Sequence, residues 1–200
     1  MKKSIICLLM IAFFLTGCGM KTESEIGEII GTTKMNTKYY QASFVVDVEN
    51  LSEVTTFAKY IFVGTVEAYI RTESDPEDEL EVYTYYSVKV IENIKGQLIQ
   101  EENIEVKKAG GYVKSEDYFI MCEGDVLPKV GGTYVFAAIM FEKDGSIYCF
   151  GPNTVAEIEN VENYKEDKKY LSYMEASKTI AGDVPDNEWS TSRYDVLYEE

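Results

Sequence analysis

Histidine is absent from all 200 residues of this chain. Without imidazole, neither a Ser-His-Asp set nor a Cys-His pair can be assembled for nucleophilic catalysis. A zinc site with imidazole ligands is excluded for the same reason. An enzyme made from this sequence would have to use carboxylates, lysine, tyrosine or a thiol. The composition therefore favours binding over catalysis, and we expect no cofactor and no metal.

Basic residues are scarce. The chain has 19 Lys and Arg against 35 Asp and Glu, a formal net charge of -16. Because affinity for nucleic acid depends on neutralising phosphates with Lys and Arg, we expect no nucleic-acid partner. Docking on anionic lipid through a basic patch is disfavoured for the same reason.

A long hydrophobic run is also missing. The longest apolar stretch is Ile5 to Leu15, shorter than the roughly 20 residues that a membrane-spanning helix needs. It follows Lys2 and Lys3, and this order is typical of a secretory signal.

The stretch ends in Leu15-Thr16-Gly17-Cys18, which resembles the bacterial lipobox. In that family the Cys thiol receives a diacylglyceryl group and the preceding peptide is removed. The resemblance implies a signal peptide at 1–17, lipid attachment at Cys18, and a location on the outer face of the bacterial cytoplasmic membrane. Removing the two lysines of the signal changes the net charge from -16 to -18. Two acyl chains hold a protein firmly at a bilayer, so the anchor would be the membrane contact. An ordinary secretory signal is the alternative.

Cysteine is sparse, with four in the chain. Cys7 lies in the signal and Cys18 is the expected lipid site, which leaves Cys122 and Cys149. Outside the membrane these two thiols can pair, and closing the loop between them would contribute about 3 kcal/mol in the chain-entropy model. Alternatively, both are buried as small apolar side chains.

Hydrophobic periodicity divides the remainder into three parts. Residues 18–41 are polar and predict a tether, residues 42–178 predict one domain, and residues 179–200 predict a polar tail that docks partly through Trp189. Asn50 predicts the N-cap of a helix at Leu51 to Lys59. A second helical stripe predicts a C-terminal helix at Val161 to Ser177.

Most of the domain has the two-residue period of β-strands. The clearest strand is Val82 to Ile91, in which one face carries Val82, Thr84, Tyr86, Val88 and Val90. Gly64 interrupts another strand and predicts a bulge or a tight bend. Asp144-Gly145 is typical of a tight hairpin.

Three segments follow one another in an order that resembles a known module. They are Phe57 to Val66, Tyr86 to Gly96, and Leu127 to Phe136, the last followed by the Asp144-Gly145 hairpin. This order is similar to the netrin-like module of tissue inhibitors of metalloproteinases. The resemblance covers about Leu51 to Glu159. It implies a mainly β fold, an antiparallel OB-type barrel, here with a preceding short helix and a following C-terminal helix. Function does not follow from the fold.

Tyr83 and Tyr85 crowd one strand and predict a ligand face. OB barrels use aromatic side chains on such a face as stacking platforms, and the negative charge favours a glycan or a protein over a polynucleotide. Cross-strand packing explains the same residues without a ligand. The sequence thus predicts a lipid-anchored extracytoplasmic binding module. The alternatives are a surface enzyme using carboxylates and an inhibitor or immunity-type lipoprotein.

Overall fold

A computed structural model describes residues 36–75, 78, 80–141, 145–182, 184–185 and 191–196. Of these residues, 45% are in strands and 13% are helical. The predicted mainly β class is therefore confirmed. The expectations for Cys18, for Trp189 and for Asp144 of the hairpin lie outside the described residues.

Nine strands and two α-helices make up the described part, with a short 3₁₀ helix at Tyr164–Glu166. The strands are β1 (Thr37–Tyr40), β2 (Tyr60–Ser74), β3 (Val82–Lys95), β4 (Asn103–Ala109), β5 (Gly111–Val113), β6 (Tyr118–Cys122), β7 (Thr133–Phe141), β8 (Ser146–Cys149) and β9 (Val155–Glu157). The helices are α1 (Leu51–Phe57) and α2 (Lys168–Ala176). Within these residues no helix is long and apolar enough to cross a membrane.

The larger sheet has the strand order β2-β3-β4-β8-β7-β9, and β2 also pairs with β7. This additional pairing makes the sheet partly closed. Neighbouring strands run antiparallel except β4 and β8, which are parallel. The main hydrophobic core lies inside this sheet and includes Phe62, Tyr86 and Phe136.

The predicted inner face of β3 is confirmed. The five alternating residues from Val82 to Val90 are each no more than 1% exposed. The predicted irregularity at Gly64 is also present, because the β2–β3 register shifts between Val63 and Gly64. A Cβ at Gly64 would lie 2.6 Å from Cγ1 of Val88, so no larger residue fits at this position, where β2 packs against β3.

A second, smaller sheet has the order β1-β6-β5, with β1 parallel to β6. Residues Thr37–Tyr40 fell within the predicted tether, 18–41, but they form β1 and belong to the domain. Four residues carry too little periodicity to predict a strand. The pairing that holds β1 comes from β6, about 80 positions further along the chain.

The C-terminal helix is present but shorter than predicted. It begins at Lys168 rather than at Val161, because Asp167 acts as its N-cap and accepts a hydrogen bond from the backbone N–H of Lys169 at 2.7 Å. The same carboxylate accepts bonds from the backbone N–H groups of Glu159 and Asn160. Desolvation, the largest single influence, acts to raise the pKa of Asp167, but these backbone donors together lower that pKa.

The predicted polar tail, 179–200, is in part docked on the domain. The hydroxyl of Tyr60 donates to Oδ2 of Asp195 at 2.8 Å, and Asp195 forms a β-bridge with Leu98. Ser192 and Asp195 are both buried. Residues 192–195 therefore cover part of the main core, against which Tyr194 packs.

Candidate functional site

A cavity of about 710 Å³ opens between the small sheet and the β9 edge of the large sheet. Its walls combine apolar side chains, a few charged groups and backbone. The lining residues are Thr37, Tyr39, Phe119, Met121, Gly124, Asp125, Val126, Leu127, Lys129, Tyr134, Asn153, Val155, Ala156, Glu157 and Lys169.

One face of the small sheet forms the first wall. Thr37 pairs with Phe119 and Tyr39 pairs with Met121 in the parallel β1–β6 register. Because side chains alternate along a strand, these four residues lie on the same face. Tyr39 is 62% exposed, so its ring is available at the rim of the cavity.

The opposite wall is formed by β9 and by Tyr134 of β7. Tyr134 is nearly buried, and its hydroxyl accepts a hydrogen bond from the backbone N–H of Lys129 at 2.9 Å. Desolvation raises the pKa of Tyr134, so its hydroxyl stays neutral at ordinary pH. This bond attaches the 124–129 loop to the large sheet beside the cavity.

A buried ion pair fixes the other end of that loop. The Lys108 side chain is 0% exposed and that of Asp125 is 2% exposed, and Nζ of Lys108 donates to Oδ2 of Asp125. The second carboxylate oxygen of Asp125 accepts the backbone N–H of Val126 at 2.8 Å. Both oxygens are therefore engaged, and the negative charge at the cavity wall is matched by a buried cation.

Cys122 and Cys149 are both buried and both free in the described structure. This is the arrangement expected of two small apolar side chains rather than of a disulfide. Burial raises the pKa of Cys149 to about 12 and also raises the pKa of Cys122. Since the thiolate is the reactive form of cysteine, neither thiol is suited to nucleophilic chemistry.

Tyr83 and Tyr85, the predicted ligand face, already contact cations of the chain itself. The Arg71 guanidinium lies 3.7 Å from the ring centre of Tyr85. The Lys107 ammonium lies 4.1 Å from the ring centre of Tyr83 and 4.0 Å from that of Phe141. Tyr85 and Lys107 are each only 4% exposed. Packing accounts for these side chains, and the ligand face stays a prediction.

The sequence pattern missed the cavity and the ion pair. The adjacent lysines of β4 were the available signal, because in a two-residue period one of two neighbours must point inward. Here both Lys107 and Lys108 are buried, the first among aromatic rings and the second against Asp125. Among the described residues no group of three or more Cys, Asp or Glu is placed to hold a metal ion.

No family model matches this chain, and no curated protein matches it. We therefore infer the function from the geometry of the cavity and the chemistry of its walls.

Proposed function

We propose that this chain is a lipid-anchored, extracytoplasmic binding module with an OB-type barrel, and that it holds its ligand in the cavity between the two sheets. The anchor would be the acylated Cys18, as the lipobox resemblance implies. The ligand would be a glycan or a protein rather than a nucleic acid, in keeping with the net charge of -16.

The pairing pattern supports an OB-type arrangement. Strands β2, β3, β4, β8 and β7 are each paired with the next, and β7 pairs back with β2. A short helix precedes this set and α2 follows it, which is the order implied by the resemblance to the netrin-like module.

The cavity is the observation that carries the proposal. Its volume of about 710 Å³ falls within the roughly 300 to 1,000 Å³ usual for ligand sites. Apolar side chains are exposed beside it, with Tyr39 at 62% and Val126 at 48%. Exposed apolar groups next to a concave surface are typical of a binding site.

The carboxylates of the cavity support binding better than catalysis. Its acidic lining residues are Asp125 and Glu157. Glycoside hydrolysis needs one carboxyl that can give a proton and a second that can act as base or nucleophile. Asp125 is held by Lys108 and by the Val126 amide, so the described cavity offers one unengaged carboxylate rather than a pair.

Filling the cavity should abolish ligand capture. Met121 is half-buried on the cavity-facing side of β6, so Met121→Trp places a larger side chain in the space. The immobilised full chain, in detergent, is incubated with cell-wall fragments and secreted proteins of the producing bacterium. The wild type should retain a ligand that Met121→Trp does not.

The control is Leu171→Trp, which adds a similar side chain at a position of α2 that is 50% exposed and outside the cavity. This variant should retain the ligand as the wild type does, and thermal melts should show all three proteins folded. Equal capture by Met121→Trp and Leu171→Trp would rule out the cavity as the binding site.

Cys18→Ala should remove the anchor, because alanine cannot form the thioether to diacylglycerol. Metabolic labelling with a radioactive fatty acid should mark the wild type and leave the variant unlabelled, and the variant should remain uncleaved or be released. A variant that is still acylated and of mature length would show that Cys18 is not the lipid site.

A further inference from the structure

The β9 edge leaves backbone hydrogen-bonding groups on the cavity side. Across the β7–β9 pairing, the N–H of Ala137 donates to the C=O of Thr154, and the N–H of Ile158 donates to the C=O of Thr133. Backbone groups of an antiparallel strand alternate between one neighbour and the other. The N–H and C=O groups of Val155 and Glu157 therefore point away from β7.

These groups have no strand to pair with in the described part of the chain. β9 is the last strand in the order of the large sheet. Val155 is only 5% exposed, and both residues line the cavity. Glu157 is exposed, but Val155 is buried, and buried backbone donors and acceptors are almost always paired. On this edge the backbone N–H and C=O groups of one residue on each side of Ala156 point outward. Such an edge is suited to the addition of one more strand.

The charges beside this edge indicate what the added strand carries. Lys129 and Lys169 both line the cavity, both are exposed, and neither forms an ion pair with another described residue. The charge of Asp125 is already matched by Lys108. With Asp125 paired, the two ammonium groups of Lys129 and Lys169 are accompanied by one carboxylate, that of Glu157. The cavity therefore has a local excess of positive charge on an otherwise acidic protein.

We propose that the cavity binds an extended peptide segment of a partner protein, which pairs with the free edge of β9 and directs a carboxylate side chain toward Lys129 and Lys169. The proposal rests on the proposed function and deepens it, because it selects a peptide over a glycan. Main-chain pairing with Val155 and Glu157 supplies affinity, and alternate apolar side chains of the peptide contact the Phe119 and Met121 face.

Fluorescein-labelled octapeptides of alternating Thr and Val provide the probe, one with a central Glu and one with a central Lys. Binding to the full chain in detergent is followed by fluorescence anisotropy. The Glu peptide should bind more tightly, although the overall charge of the protein favours the Lys peptide. Lys129→Ala combined with Lys169→Ala should remove this preference. A wild type that binds the Lys peptide more tightly would overturn the assigned peptide charge.

A matched pair of variants at one position isolates the backbone contact. Glu157→Pro removes the outward N–H, and proline is tolerated at a strand edge where the N–H does not serve the ladder. Glu157→Ala removes the same side chain and keeps the N–H. Loss of one main-chain hydrogen bond should weaken peptide binding by about tenfold in Glu157→Pro. Glu157→Ala should bind at least as well as the wild type.

Equal affinities in the two variants would overturn strand addition. If Glu157→Pro fails to fold, amide exchange of the ¹⁵N-labelled wild type decides instead, since the peptide should slow exchange at Val155 and Glu157. Unchanged exchange there would overturn the proposal. If the wild type binds neither peptide but captures a glycan that Met121→Trp does not, the peptide assignment fails while the proposed function stands.

Discussion

Replacing Asp125 by alanine should destabilise the domain by about 3 to 5 kcal/mol, because it leaves the ammonium of Lys108 buried without its counterion. The Lys108 side chain is 0% exposed, and its other acceptor is the C=O of Gly151 at 3.5 Å. That single long contact cannot replace a carboxylate. Urea unfolding followed by circular dichroism should show the loss as a lower midpoint with an unchanged slope.

A double variant tests the cause. Lys108→Met combined with Asp125→Asn removes both charges and keeps a side-chain acceptor for the Val126 amide, so it should recover much of the lost stability. Lys178→Ala is the surface control. It breaks the ion pair between Lys178 and Glu175, whose side chains are 62% and 77% exposed. Such surface pairs contribute about 0 to 1 kcal/mol to the free energy of unfolding. A loss no larger for Asp125→Ala than for Lys178→Ala would contradict the assigned role of the buried pair.

Replacing Val88 by aspartate should unfold the domain or destabilise it by more than about 4 kcal/mol, because an unpaired carboxylate would lie inside the main core. Val88 is 0% exposed and packs beside Gly64, where a Cβ would come within 2.6 Å of its methyl group. The space next to Val88 therefore cannot hold a hydration shell. Thermal denaturation should show a cooperative transition at a much lower temperature or none.

Lys89→Asp, one position along the same strand, introduces the same residue on the outer face. The Lys89 side chain is 37% exposed and its Nζ lies 2.8 Å from Glu101. The change breaks one exposed ion pair and should shift the melting temperature by a few degrees at most. Comparable losses from the two substitutions would show that the inner face of β3 is wrongly assigned.

The features that the sequence predicts correctly depend on contacts between residues close along the chain. Asn50 was predicted to cap α1, and its side chain accepts the backbone N–H of Ser52 at 3.1 Å. The alternation of β3 and the irregularity at Gly64 followed from the two-residue period and from the missing Cβ. In each case the interacting residues are only a few positions apart in sequence, or the alternation of apolar residues indicates which face of the strand is buried.

The candidate site could not be found in this way. β1 is a strand because β6 pairs with it, and its residues alone have the composition of a tether. The cavity exists because one face of the small sheet is placed opposite β9, and β1 of that sheet is more than 100 positions from β9 in sequence. Local patterns carry no information on such an arrangement, since it depends on how two sheets pack.

The two adjacent lysines of β4 and residue Asp195 near the C-terminus also depend on contacts that are distant in sequence. Lys107 and Lys108 are adjacent along β4 and both are buried: aromatic rings enclose the first and Asp125 pairs with the second. The composition of 179–200 predicts a polar tail that docks partly through Trp189, but it does not indicate that Asp195 is buried and accepts a hydrogen bond from Tyr60. Short-range periodicity is enough to predict the β-rich class and the buried face of β3, and a local hydrogen bond is enough to predict the cap of α1. Long-range contacts determine which charges are buried, where the cavity lies and which strand edge lines it, because burying a charge or leaving an edge free depends on partners far away in the chain.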